Sequence, residues 1–413
     1  MRPGYKLTAV GEIPEEWEIK NLDKLGIFAK GNGVRKEDAT SGTIACVRYG
    51  EIYTHHNEVI HVVNSFISEK VAKKSKKLKS GDILFAGSGE TKEEIGKNTV
   101  FIGDGESYAG GDIIIFSPTE GCSIFWSYLF NSPLATRQKA SKGQGDAVVH
   151  ISITSLSTIT IPCPPFSEQQ AIAESLSDVD ALLVSLDQLI AKKRDIKQAT
   201  MKQLLTGEKR LPGFCEEWVT LTLGNYADFY TGGTPSTIIK EYWGGEIKWM
   251  SSGDLHLKRI QDVPGRITAR GLDNSPAKFV PLYSVLIGLA GQGKTRGTVA
   301  INNVVLTTNQ SIAAIHPFPD TIDYQYLYYN LDSRYKELRE QSSGDGGRGG
   351  LNIKLLEKVG IHLPSTTSEQ AAIAEVLSDM DAEIVALEQR RDKTRQIKQA
   401  MMQELLTGRI RLK

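Results

Sequence analysis

Cysteine is scarce in this 413-residue chain: Cys46, Cys122, Cys163 and Cys215 lie far apart, with no C-x-x-C spacing. That spacing excludes a disulfide frame and a cysteine-rich zinc site, and it fits free thiols in a reducing cytoplasm. Long apolar runs are also missing. Nothing approaches the roughly 20 residues of a membrane span, and the N-terminus MRPGYKLTAVGEIPEEW lacks a signal-peptide apolar core. A cytoplasmic protein with no membrane partner is expected. Neither charge sign is in excess, since 49 Lys and Arg balance 49 Asp and Glu. The zero sum argues weakly against nucleic-acid binding, where basic residues normally predominate, so local clustering has to decide. The histidines, including His55-His56 and His61, form no H-x-x-x-H pair with a helical Glu. No Ser/His/Asp set or carboxylate pair stands out either. Neither a metal site nor a catalytic site is expected.

What the sequence does contain is repetition. Residues 167–206, SEQQAIAESLSDVDALLVSLDQLIAKKRDIKQATMKQLLT, return as residues 368–407, SEQAAIAEVLSDMDAEIVALEQRRDKTRQIKQAMMQELLT. The offset, Ser167 to Ser368, is a constant 201 with no gap, and it also aligns Glu15-Glu16-Trp17 with Glu216-Glu217-Trp218. In the first copy Ile172, Leu176, Val179, Leu183, Leu186 and Ile190 recur every three or four residues. Ile373, Leu377, Met380, Ile384 and Leu387 keep the same register in the second. This is the seam of a coiled coil. Each helix has a seam for the other to cover, which predicts an antiparallel intramolecular pair. Ser167 with Gln170, and Thr367 with Gln370, are candidate capping boxes. Gly207 and Gly408 are placed to end the helices. Arg390-Arg391 stands where the first copy has Leu189-Ile190, which weakens the second seam there.

The segments before each helix are rich in glycine and β-branched residues. Strands are expected at 43–47, 82–86, 98–102 and 112–116, then at 247–250, 284–289, 297–301 and 311–315. Shorter helices are expected at 124–132 and 324–340. Each segment then reads as an α+β domain with a mostly antiparallel, twisted sheet. Each closes alike, ISITSLSTITIPCP (151–164) matching LNIKLLEKVGIHLP (351–364). The ends of the chain match as if a circle had been cut, which predicts that the termini lie close together.

Two motifs suggest chemistry without completing it. Gly288 to Thr295 fits the P-loop pattern G-x-x-x-x-G-K-[ST], but a P-loop must open a helix whose N-terminal amides hold the phosphates. Here Arg296-Gly-Thr-Val-Ala-Ile follows, which favours a strand, so a tight Gly-rich hairpin is expected. Cys163-Pro164-Pro165-Phe166 is like the [ND]-P-P-[YF] motif of amino-methyltransferases, but cysteine cannot replace its acceptor, and no glycine-rich cofactor loop accompanies it. The prolines read as a rigid lead into the helix.

Basic residues do cluster: Lys73, Lys74, Lys76, Lys77 and Lys79 in the first half, and Lys248, Lys258, Arg259, Arg266 and Arg270 in the second. Phosphate contacts supply affinity and position, while forked or amide groups on loops read bases. The candidates for DNA contact are therefore Arg48, Tyr49, His55, Asn57, Lys73, Lys74 and Lys92, with Ser251, Ser252, Asp254, His256, Lys294, Arg296 and Arg348.

Two dissimilar domains, each followed by a matched helix, resemble the specificity subunit of type I restriction-modification systems. The likeness rests on Ser167-Glu168-Gln169, Ile172-Ala173 and Leu204-Leu205-Thr206-Gly207, with Ser368-Glu369-Gln370, Ile373-Ala374 and Leu405-Leu406-Thr407-Gly408; Gly81-Asp82-Ile83-Leu84 is also similar. The resemblance covers essentially the whole chain. It implies target-recognition domains at 1–163 and 212–363, joined by spacer helices at 164–211 and 364–413 in a pseudo-twofold, nearly circular α+β arrangement. It also implies a non-catalytic subunit that reads a bipartite double-stranded DNA target. Its expected partners are two DNA adenine methyltransferase subunits and restriction/translocase subunits. S-adenosylmethionine, ATP and magnesium would belong to those partners, with no cofactor on this chain. The alternatives are a P-loop nucleotide-binding protein and a coiled-coil scaffold without DNA specificity.

Overall fold

The computed structural model describes residues 2–291, 293–341 and 350–412. It divides into two compact units: residues 1–187 with 389–413, and residues 188–388. Each contains one globular domain and half of each long helix.

The long helices run Phe166–Leu205 and Thr367–Leu405. Both end in glycines with left-handed backbone, Gly207 at φ 72° and Gly408 at φ 71°, as helix C-termini favour. Their starts correct the expected capping boxes, because Ser167 and Thr367 already lie inside the first turn. The N-terminal ends are instead fastened by the next glutamines. Gln169 donates to the Pro164 carbonyl (2.9 Å) and accepts from the Cys122 amide (2.9 Å). Gln370 donates to the Pro364 carbonyl (3.0 Å) and accepts from the Asp323 amide (2.8 Å).

Within each unit the helix halves pair antiparallel. In the first unit Asp180 meets Lys398 (2.7 Å) and Asp187 meets Arg391 (3.4 Å). In the second, Lys193 meets Glu383 (2.6 Å), and Arg194 and Lys197 meet Glu388 and Asp381. Of the expected seam residues, Leu186, Ile190 and Ile384 are buried outside the domain cores, Ile172, Leu176, Ile373 and Leu377 are buried within them, and Val179, Leu183, Met380 and Leu387 are half-buried. Around Arg391 the seam turns polar, with Thr394 buried beside the Arg391–Asp187 pair.

The two globular domains share one strand order. The first has a five-stranded sheet ordered 26–30, 113–118, 83–86, 98–101, 59–60, and a four-stranded sheet ordered 65–67, 44–47, 107–109, 76–77. The second repeats both, as 227–231, 312–317, 285–288, 299–302, 259–260 and 266–267, 243–250, 306–308, 279–280. The expectation of one mostly antiparallel sheet is thus corrected to two main sheets, with two-stranded pairs beside them. The crossover between them makes some pairings parallel, 44–47 with 107–109 and 243–250 with 306–308. The helix expected at 324–340 is two helices, Tyr324–Ser333 and Tyr335–Gln341, parted at Arg334. Its counterpart is Ser123–Phe130 followed by Pro133–Lys142. In each domain the larger sheet packs on these helices and on the long-helix start, burying Phe85, Phe116, Trp126 and Ile172 in the first and Val285, Ile315, Tyr326 and Ile373 in the second. The ends of the chain do meet: the Tyr5 hydroxyl donates to the Gly408 carbonyl at 2.8 Å. The four cysteines are free, and burial pushes the Cys46 and Cys163 thiols up to about 12. Among the described residues, no helix is long and apolar enough to cross a membrane.

Candidate nucleic-acid interface

Strand pairing determines which loops share an edge. In the first domain Ile113 pairs with Ala86, Ile114 with Lys30, Asn98 with Phe85, and Ala109 with both Val47 and Lys76. The loops after residues 30, 47, 86 and 109, and the one before 76, therefore open on a single rim. That rim brings together Arg48, Tyr49, His55, Asn57, Lys73, Lys74 and Lys92. Direct contacts agree. The Tyr53 hydroxyl, on the helix Tyr49–Thr54, donates to the Ser88 carbonyl (3.1 Å) in the hairpin that carries Lys92. Gly33 lies so close to the Lys74 carbonyl that an added Cβ would sit 2.7 Å from it.

The second domain builds the same rim. Gly288 pairs with Ile312, Thr231 with Ala313, Ile287 with Val299, and Met250 with Thr308. Ser251, Ser252, Asp254, His256, Lys294 and Arg296 lie on it. Arg348 falls outside the described residues. The antiparallel strands 285–288 and 299–302 flank the Gly288–Thr295 segment, whose described residues form no helix. No helix follows to hold a phosphate, and Gly288 lies against the Thr295 carbonyl with no room for a Cβ. This is the hairpin expected from the sequence, and the alternative P-loop reading is overturned.

The rim side chains fall into two classes. Arg48 is held by buried Glu51 (3.1 Å) and by Ser65 (3.0 Å). Ser251 donates to Asp254 at 2.8 Å in the matching position. Each pair caps the short helix that leaves the smaller sheet, so these residues shape the rim. His55 and His256 are exposed, their Nδ1 atoms beside Thr54 Oγ1 (2.6 Å) and the Gly253 carbonyl (2.7 Å). Lys73, Lys74, Lys92 and Lys294 are exposed and form no ion pair with the described residues. Three of the five basic residues in the second half's cluster, Lys248, Lys258 and Arg266, are ion-paired within their domain. Asp262 takes Lys248 (2.6 Å) and Arg266 (2.8 Å), and Asp332 takes Lys258 (2.7 Å). Charge counting could not see those pairs.

Beneath the first hairpin lies Lys139, buried, its Nζ donating to the Gly96 carbonyl at 2.6 Å. With no anion beside it, burial pushes the ammonium down to about 7.

The helix–domain junctions carry polar groups that motif reading passed over, although the 201-residue offset could have found them. In the first unit Asp180 accepts from the Tyr128 hydroxyl (2.6 Å) and pairs with Lys398, which also reaches Glu58 (2.9 Å). Burial works against the Lys398 charge, but Glu58 and Asp180 outweigh it and hold the ammonium above its ordinary value. In the second unit Tyr329, Asp381 and Lys197 repeat the set, with Arg259 in place of Glu58 and bonded to the Tyr329 hydroxyl at 3.0 Å. Buried Glu168 likewise binds Arg411 (2.6 Å) and the Trp17 indole (2.9 Å), while buried Glu369 binds Arg210 (2.6 Å).

A family model for the type I restriction modification DNA specificity domain matches residues 14–197 and again residues 215–399. The chain belongs to that family. The putative type I restriction enzyme MjaX specificity subunit of Methanocaldococcus jannaschii is 26% identical, covering 99% of this chain and 97% of its own. The EcoR124I/EcoR124II specificity subunit of Escherichia coli is 28% identical over 56% of this chain and 57% of its own. Among solved structures, the type I S subunit from M. genitalium superposes with TM-score 0.62 at 18% identity, covering 98% of this chain and 99% of that one. At that identity the likeness establishes the fold.

Proposed function

We propose that this chain is the DNA-specificity subunit of a type I restriction-modification complex, and that each domain reads one half of a bipartite target through its rim. The observation that carries this is the repeated rim: one strand order, twice, brings exposed Lys73, Lys74 and Lys92 to one edge and Lys294 to its counterpart. Unpaired lysines on loops suit phosphates, and the hydroxyl, amide and imidazole groups between them suit base edges. The residues proposed for DNA contact remain those expected from the sequence, with Arg48, Ser251 and Asp254 acting by shaping the rim.

The chain acts without catalysing. S-adenosylmethionine, ATP and magnesium are used by partner subunits, two of them DNA adenine methyltransferases, joined for restriction by translocase-nuclease subunits. The long helices serve both as ruler and as dock. Forty residues of helix at 1.5 Å each make a rod of about 60 Å, enough to hold two readers one DNA turn, about 34 Å, apart. Pairing leaves apolar side chains exposed at repeated positions: Val184 and Val385 at 45% and 48%, Ile196 and Ile397 at 41% and 47%. Two like patches fit two like partners. Mapping methylated adenines across the host genome with and without this gene tests the proposal. The expected result is loss of one split motif from the methylated set; an unchanged map would refute it.

A further inference from the structure

The second domain holds an apolar side chain out at the tip of a loop beside its rim. The loop leaves the larger sheet at Thr231 and returns as the strand Trp243–Met250. Its first half is pinned at the rim. Gly232 and Gly233 lie against the Thr308 carbonyl and Pro276–Ala277 with no room for a Cβ. Thr234 donates to Gln310 (2.6 Å), the Trp249 indole to the Gly233 carbonyl (2.9 Å), and the Trp243 indole to the Ser236 carbonyl (3.1 Å). The two indoles support one another edge to face at 5.0 Å. Just past this anchor a turn closes, the Ile239 amide donating to the Ser236 carbonyl at 3.3 Å. Ile238 occupies the corner of that turn and is 90% exposed.

Singly exposed apolar residues are ordinary on protein surfaces. Two things distinguish this one. Turn corners normally take Gly, Asn, Asp or Ser, which suit solvent and the backbone. The loop is also braced from behind by two tryptophans, so the isoleucine, stiff at χ1, is presented in a fixed position. Lys240 and Arg270 are exposed near the same loop, Arg270 on the short helix whose Gly271 abuts the Tyr242 carbonyl. An apolar tip on a loop that carries or adjoins cations is the composition of an element that approaches bases while its neighbours hold phosphates. The aligned position in the first domain is Glu37, exposed at the start of a short helix, so this device belongs to the second domain alone.

We propose that Ile238 makes an apolar contact with the bases of the half-site read by the second domain. The inference rests on the proposed DNA-reading function and adds a specificity-determining residue to it. Ile238→Ser and Ile238→Leu would be compared with the parent, each as the full chain assembled with its methyltransferase subunits, on a duplex carrying the split motif found by methylation mapping. Thermal unfolding of Ile238→Ser should match the parent, since the side chain packs on nothing. The expected result is a loss of binding of roughly tenfold or more in Ile238→Ser, with Ile238→Leu near the parent. Base-substitution penalties in the first domain's half-site should stay unchanged. Replacing thymines of the second half-site with uracil identifies a methyl contact, because one position then weakens the parent and not Ile238→Ser. 2-Aminopurine in that half-site identifies a wedged base step, because its fluorescence then rises only with an apolar residue at 238. If Ile238→Ser binds as the parent does with the same penalties, the inference is overturned while the DNA-reading function stands. If the parent itself does not prefer the mapped duplex, both fall.

Discussion

Replacing Lys398 by methionine tests how the first domain is fastened to its helices. The side chain is only 14% exposed and stands between Asp180 at 2.7 Å and Glu58 at 2.9 Å, themselves 16% and 14% exposed. Methionine keeps the stem but leaves two carboxylates without their shared cation, Asp180 alone keeping a tyrosine hydroxyl. Breaking a buried pair by removing one partner costs about 3–5 kcal/mol. A unit of this size loses about 2–4 °C of Tm per kcal/mol, so Tm should fall by roughly 6–20 °C. The second unit supplies an internal control. Lys197→Met leaves a single carboxylate, Asp381, still bonded to Tyr329 at 2.8 Å, and Arg259 stands where the second acid would be. Its cost should be about half as large. Combining Lys398→Met with Asp180→Asn and Glu58→Gln should restore most of the lost stability, since no unpaired charge then remains. Because its acids hold Lys398 above its ordinary value, its contribution is intact at neutral pH and fades only as pH rises past that value. Calorimetry of the three proteins measures this directly. A loss under about 1 kcal/mol in Lys398→Met, or a larger loss in Lys197→Met, would refute the reasoning.

Other outcomes follow from the same features. Lys139 is pushed down to about 7 in the folded chain, against roughly 10.4 unfolded. The unfolded state therefore binds one more proton between those values, and stability should climb with pH by about 1.4 kcal/mol per unit; in Lys139→Met, denaturant midpoints between pH 7.5 and 9.5 should lose that slope. Lys73→Ala with Lys74→Ala should weaken binding to all DNA sequences alike and reduce the salt slope by about 0.9 per lysine, roughly two in all. A loss confined to the target would contradict a phosphate role. Lys294→Ala and the parent should both fail to bind labelled ATP in equilibrium dialysis, since the Gly288–Thr295 turn opens no helix. Four residues inserted into one long helix add about 6 Å, and methylation mapping should show a longer unspecific spacer with both half-sites unchanged.

The helices were the most legible part of the sequence because periodicity and offset record them twice. Even Gly207 and Gly408 end them as expected, since a helix C-terminus asks for a left-handed residue and glycine supplies it. Their starts were less legible. Ser167 looks like a cap in isolation, but the preceding Pro164-Pro165 and the reach of Gln169 to the Pro164 carbonyl and the Cys122 amide begin the helix earlier. Eight strands were visible one by one, but not 26–30, 107–109, 227–231 or 306–308, nor the division between the larger and smaller sheets. Pairings such as Cys46 with Tyr108 join residues far apart in sequence, and no local pattern records them. The site shows the same limit. Lys73 and Lys74 were found as a charge run and remain available, while Lys248 and Arg266 looked equivalent until Asp262 was seen between them. Ile238 went unremarked because its exposure depends on a turn and two indole hydrogen bonds formed across the fold.

The central claim is that two copies of one fold read two different half-sites independently. Exchanging residues 1–163 for the equivalent domain of a relative with a different target, then mapping methylated adenines in cells expressing the hybrid, tests it most directly. A motif with one half-site replaced, and with the other half-site and the spacer unchanged, is the predicted result. Changes in both halves, or loss of methylation from a correctly assembled hybrid, would contradict it.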